Sequence, residues 1–123
     1  MLGGATLMRA PVQIPPLNLW PDRDTRQSWR YLEAQTPVDF TQTLEGVGYT
    51  AEILILRCGS VIWQAPLDLD AEGYVSVTVP QTVGQTLRSP ARIDATYEIR
   101  INAPEPELSL VWIGPVSVYE VHS

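Results

Sequence analysis

Tyr74-Val-Ser-Val-Thr-Val79 is the stretch that decides the fold class. Val75, Val77 and Val79 fall on one side and Tyr74, Ser76 and Thr78 on the other. A period of two lays one face of an extended strand on a core and turns the other to solvent. Working outward, Thr96 to Asn102 repeats the pattern, with Tyr97, Ile99 and Ile101 inward and Glu98 and Arg100 outward. Thr50 to Leu56 is apolar on both faces from Ile53 onward, as a central strand covered on two sides would be. Arg57-Cys-Gly-Ser60 reads as a tight turn, with Gly59 taking the positive φ of a hairpin, and Val61 to Ala65 returns as the partner strand. Residues 103 to 107, Ala-Pro-Glu-Pro-Glu, read as a polar hairpin loop. Leu108 to Val121 follows as a strand pair or one long bent strand, interrupted at Gly114-Pro115.

Eleven prolines and eight glycines break the rest into short extended runs. Residues 9 to 21 cannot be helical through Pro15-Pro16, so they are expected to form an extended arm with at most an edge strand near Leu17 to Trp20. Residues 27 to 33 put Trp29 and Tyr31 on one side and Arg30 and Leu32 on the other, which fits a strand or, second, a helical turn. A short strand is expected at Val38 to Phe40. The one helical candidate, Gln81 to Leu87 after Pro80, is too short to stand alone and is expected to bridge two strands. Together these segments predict an all-β chain, an immunoglobulin-like β-sandwich of about 7–8 antiparallel strands with a Pro-rich N-terminal arm and at most one short helix. The arm is assigned to residues 1–20 and the sandwich to residues 21–123.

A length of 123 residues suits a single core burying roughly two-thirds of the unfolded surface. No apolar run approaches the ~18 residues that cross a bilayer, so no membrane association is expected. Met1 to Met8 lacks a basic start and is too short for a signal peptide, which makes the cytoplasm the expected place of synthesis and assembly. The net charge of −6 and pI near 4.6 argue against a nucleic-acid partner, whose phosphates demand clustered cations. All eight basic residues are Arg, which suits contacts in an assembly and equally the codon bias of a GC-rich gene. Cys58 stands alone, so no intrachain disulfide is possible, and it reads as an incidental or structural thiol.

Catalytic groups are sparse. The single histidine, His122, lies next to the last residue, and without a second His or Cys there is no conventional zinc set. Gly46-Val-Gly48 lacks the lysine and helix of a phosphate loop. Fourteen acids could supply a glycosidase pair, but a sandwich this small offers little room for the cleft. The chain is therefore not expected to be an enzyme, and no cofactor is implied. Asp68, Asp70 and Glu72 followed by Gly73 match the first half of a calcium loop, but Val79 stands where the bidentate Glu belongs. An acidic turn leading into the Tyr74 strand is the better reading, and the trio remains a weak metal candidate.

Trp20, Trp29, Trp63 and Trp112 raise a carbohydrate- or receptor-binding module, although Trp29 and Trp63 sit in strand patterns where core packing is the common fate. Trp20 differs, because it lies in the Pro-rich arm. Ile14, Leu17, Leu19 and Trp20 are accordingly expected to form a partner interface, since apolar side chains on an arm mark protein contacts.

The order of segments resembles a known group. Pro37-Val-Asp-Phe-Thr41 followed by Gly48-Tyr-Thr-Ala-Glu-Ile53 resembles a stretch of small immunoglobulin-like virion domains of tailed phages. Those domains occur in tail, collar and baseplate proteins, including the N-terminal module of baseplate upper proteins and side-fibre anchoring modules. Tyr74 to Thr82, Ala95 to Asn102 and Val111 to Val118 are similar to their later strands, so the likeness spans about residues 18 to 121. The insertion Gln42 to Val47 and the Pro-rich start before Leu17 depart from the pattern. The resemblance implies a structural protein of the virion that links the tail to fibres or receptor-binding proteins. Its implied partners are tail tube or tip, baseplate hub and fibre proteins, in a homo-oligomeric ring. A neck, head–tail completion or capsid decoration protein is the alternative on the same fold.

Overall fold

The computed structural model describes residues 11–87, 95–105 and 109–119. Expectations for Met1 to Met8, for residues 106–108 and for His122 fall outside them. The chain opens with β1 (Val12–Gln13), β2 (Leu17–Leu19) and β3 (Thr25–Arg30), followed by the short strands β4 (Leu32–Glu33), β5 (Thr36–Pro37), β6 (Thr43–Leu44) and β7 (Val47–Gly48). Next come β8 (Thr50–Arg57), β9 (Ser60–Pro66), β10 (Asp68–Leu69), β11 (Tyr74–Val79) and the helix α1 (Gln81–Leu87). The chain closes with β12 (Ala95–Asn102) and β13 (Leu110–Val118).

These elements form an all-β sandwich. The larger sheet runs β1-β13-β12-β8-β9, with β2 also on the outer side of β13, and the smaller runs β10-β11-β3. That order, with three strands facing an extended sheet, is the arrangement of an immunoglobulin-like domain. The alternation in the sequence is realised residue by residue. Val75, Val77 and Val79 of β11 face Ile53 and Ile55 of β8 and Tyr97, Ile99 and Ile101 of β12 across one core. Leu54, on the opposite face of β8, is buried as well, while Glu52 and Leu56 beside it are half-buried, so the outer face of this central strand is covered in part.

Hairpin chemistry sets the connections. Cys58 and Gly59 both have positive φ, 53° and 79°, the mirror-image turn whose twist matches its strands. The 31–49 connection folds into two further two-residue hairpins, turning at Ala34-Gln35 and at Glu45-Gly46, all four with positive φ. The expected strand at Val38 to Phe40 is absent. The Val38 amide still donates to the Tyr31 carbonyl in the register of the β4–β5 hairpin, and the chain then leaves it, the Phe40 amide donating to the Asp70 carbonyl. Phe40 is thereby driven into the core. Helix α1 has the bounds expected and is anchored from a distance: the Asp24 carboxylate accepts from the Gln81 amide at 2.9 Å, and the Gln85 side chain donates to the Pro21 carbonyl at 2.9 Å.

Two expectations about the chain ends are corrected. β13 is continuous through Gly114-Pro115, pairing Gly114 with Tyr97 and Pro115 with Thr96. The described part of the arm is no appendage to a sandwich starting at residue 21, because β1 and β2 lie on the edge of the large sheet, parallel to β13. The strands are therefore not all antiparallel.

Gly114 makes that edge possible. A Cβ there would meet the Tyr97 ring at 2.7 Å and the Ile14 carbonyl at 2.8 Å, distances that real side chains do not tolerate. Gly114→Ala is expected to destabilise the domain by about 1–3 kcal/mol through overpacking, read as a lower urea midpoint at unchanged slope.

Candidate functional site

Parallel pairing of the arm begins with Val12 opposite Trp112 and Gln13 opposite Ile113, an offset of 100, and resumes with Leu17 opposite Val116, an offset of 99. The arm therefore carries one extra residue over Ile14-Pro15-Pro16, a bulge opposite Gly114-Pro115. Pro15, Pro16 and Pro115 have no N–H to donate, so the ladder cannot be continued there. A side chain takes its place. The Tyr97 hydroxyl crosses Gly114 and donates to the Pro15 carbonyl at 2.6 Å. Backbone bonds secure both flanks, Ile14 amide to Ile113 carbonyl and Tyr119 amide to Leu19 carbonyl, each 2.9 Å.

This geometry decides the fate of the residues assigned to a partner interface. Leu17 and Leu19 are 1% exposed and belong to the chain's own core, so they are corrected from contact residues to structural ones. The reason is parity: both point inward once β2 joins the sheet, while Asn18 points out. Ile14 packs partly buried against the core beside the bulge. Trp20 is half-buried, its ring 4.3 Å from that of Tyr119, with the Arg23 guanidinium 4.6 Å from its centre.

The arm also forms one wall of a groove of about 380 Å³. Ile14 and Pro15 line it with Trp29, Tyr31, Leu110 and Trp112, and Val12 and Arg30 complete it. It opens between β1 and β3, the end strands of the two sheets. A run of rings stiffens its floor. Trp112 lies 5.8 Å from Tyr31, Tyr31 6.4 Å from Phe40, and Phe40 5.2 Å from Tyr49. Sugar recognition needs several convergent polar groups beside a ring. Here the lining side chains offer the Arg30 guanidinium, the indole N–H groups of Trp29 and Trp112 and the Tyr31 hydroxyl, which donates to Glu33, but no carboxylate or carboxamide. Trp112 is itself core, at 5% exposed. The groove suits an apolar extended segment better than a glycan.

The acidic trio does not converge on a cation. Asp68 pairs across β10 with Ser76, while the Asp70 carboxylate accepts from the Glu72 and Tyr74 amides, each at 2.9 Å. Glu72 faces Arg30, whose guanidinium donates to the Glu72 carbonyl at 3.0 Å. Gly73, at φ 85°, lets this turn pass against the Tyr31 backbone. Among the described residues no group of three or more His, Cys, Asp or Glu is placed to hold a metal ion. Cys58 is exposed at its turn, and no described helix is long and apolar enough to cross a membrane.

Sequence reasoning missed the groove. Tyr31 and Trp112 lie 81 positions apart, and only the pairing of β13 with the arm brings Ile14 and Pro15 beside them. The available signal was the inward parity of Trp29 and Tyr31 on a strand next to a bend. No family model, curated protein or solved structure matches the chain.

Burial pushes the Tyr97 phenol above its ordinary value, and a hydrogen bond with the Trp29 side chain pulls the other way. A raised phenol favours the neutral form in the folded state. Its contribution is complete below the unfolded tyrosine value of about 10 and is lost as pH climbs through the folded value. Tyr97→Phe is expected to cost about 1–2 kcal/mol at neutral pH, because the Pro15 carbonyl loses its donor. The variant should also lose less stability than the parent above pH ~10, as urea titrations at neutral and alkaline pH would show.

Proposed function

We propose that this chain is a structural protein of a tailed-phage virion, a tail, baseplate or collar module that links the tail to fibres or receptor-binding proteins through protein–protein contacts. The observation that carries this reading is the aromatic groove between the end strands of both sheets. Such a groove offers an extended segment apolar rings for its side chains and, among the described residues, unpaired strand edges for its backbone. The ordered strand motifs that resemble virion domains supply the setting, and tail tube or tip, baseplate hub and fibre proteins are the partners that setting implies. A homo-oligomeric ring is the form in which such a module would join a symmetric tail.

Antibody labelling of purified particles tests the proposal. The label is expected at the tail tip, baseplate or collar, with the chain present in particles after stringent washing. Label at the neck or over the head would move the role to a head–tail completion or decoration protein. A chain found only in the soluble fraction of infected cells would overturn a virion role.

A further inference from the structure

The 31–49 connection, the 70–73 turn and the loop beginning at residue 103 gather at one end of the sandwich. The Tyr31 amide donates to the Gly73 carbonyl and the Phe40 amide to the Asp70 carbonyl. Leu44 and Tyr49 share a small cleft with Pro104 and Glu105. Exposed apolar side chains concentrate at this end. Of seven large hydrophobics that stand exposed among the described residues, Leu32, Leu44, Val47 and Tyr74 belong to it, against Val61 and Tyr119 at the other end and Val12 on the edge strand β1. Leu44 and Val47 flank the Glu45-Gly46 turn and Leu32 stands one pair back from the Ala34-Gln35 turn, at 46%, 57% and 45% exposed. They are held on a stiff base, because the Tyr31–Phe40–Tyr49 rings run beneath the same connection.

Charge selects the kind of partner. Among the described residues, the loops at this end carry the carboxylates of Glu33, Asp39, Glu45, Asp70, Glu72 and Glu105, against the guanidinium of Arg30, which faces Glu72. The Asp39 carboxyl lies below its usual range because the Thr41 hydroxyl and amide donate to it, so it stays charged. Apolar tips framed by negative charge repel phosphate and anionic lipid and attract a cationic protein face.

We propose that this end is the docking surface for a protein partner with a basic face around an apolar recess, into which Leu32, Leu44 and Val47 insert. The proposal rests on the reading of the chain as a protein-binding module, and adds which surface makes the contact and what it meets. Two hairpin tips supply the buried centre and the acids the polar rim, the usual division of an interface.

The probe is an amphipathic leucine–lysine peptide, titrated into the isotope-labelled full chain and followed by backbone NMR. Its leucine–glutamate counterpart is the control. The lysine peptide is expected to shift amides of residues 31–49 and their neighbours at that end, saturably and more weakly as salt rises. Combined Leu44→Ser and Val47→Ser should weaken it about tenfold, while Val61→Ser at the opposite end leaves it unchanged. Because all three side chains are exposed, unshifted amides elsewhere report that each variant remains folded. Shifts spread evenly over the acidic surface, equal binding of the glutamate peptide, no saturable binding, or an unaffected double variant would each overturn the proposal. Particle labelling reads the virion setting separately, so either idea can fail while the other stands.

Discussion

The hydrogen bond from the Tyr97 hydroxyl to the Pro15 carbonyl is the contact on which the edge of this sandwich depends. Three prolines meet where the arm passes β13, and together they remove the donors that would pair the two chains. An unpaired carbonyl near a core costs on the order of 1–3 kcal/mol. A phenol from the next strand can reach it only because Gly114 carries no side chain. The fold thus solves a backbone problem with a side chain. In doing so it fixes Leu17 and Leu19 in the core and seals one side of it.

The same solution shapes the surface. A regular ladder through Pro15 would have kept the arm flush with β13. The one-residue bulge instead leaves Ile14 and Pro15 as the wall of the groove over Trp29, Tyr31 and Trp112. Beyond the groove, the rings from Trp112 to Tyr49 extend under the double hairpin, so the exposed Leu32, Leu44 and Val47 stand on a stiff support. Stability and binding surface are linked through that aromatic run.

Much of the architecture was legible wherever one residue's neighbours decide its state. The alternation of β11 and β12, the Cys58-Gly59 turn and the bounds of α1 follow from local chemistry, and each is found. What was hidden depends on distant pairing. Proline content argued for an arm with at most an edge strand near Leu17 to Trp20; β2 is that strand, but its place beside β13 turns Leu17 and Leu19 into the core, and β1 joins the same edge. The hairpin at Ala34-Gln35 was hidden for another reason. Neither residue is the Gly or Asn that normally announces positive φ, so only the surrounding structure holds it. The groove combined both difficulties, since its lining comes from the arm, β3 and β13.

Native-state hydrogen exchange tests the central claim, that the proline-rich arm is a built-in edge strand, most directly. The account predicts that the Ile14 and Tyr119 amides, which donate to Ile113 and Leu19, are protected to a degree that follows global stability. Exchange of both at the rate of an unstructured chain, with β12 and β13 still protected, would contradict it.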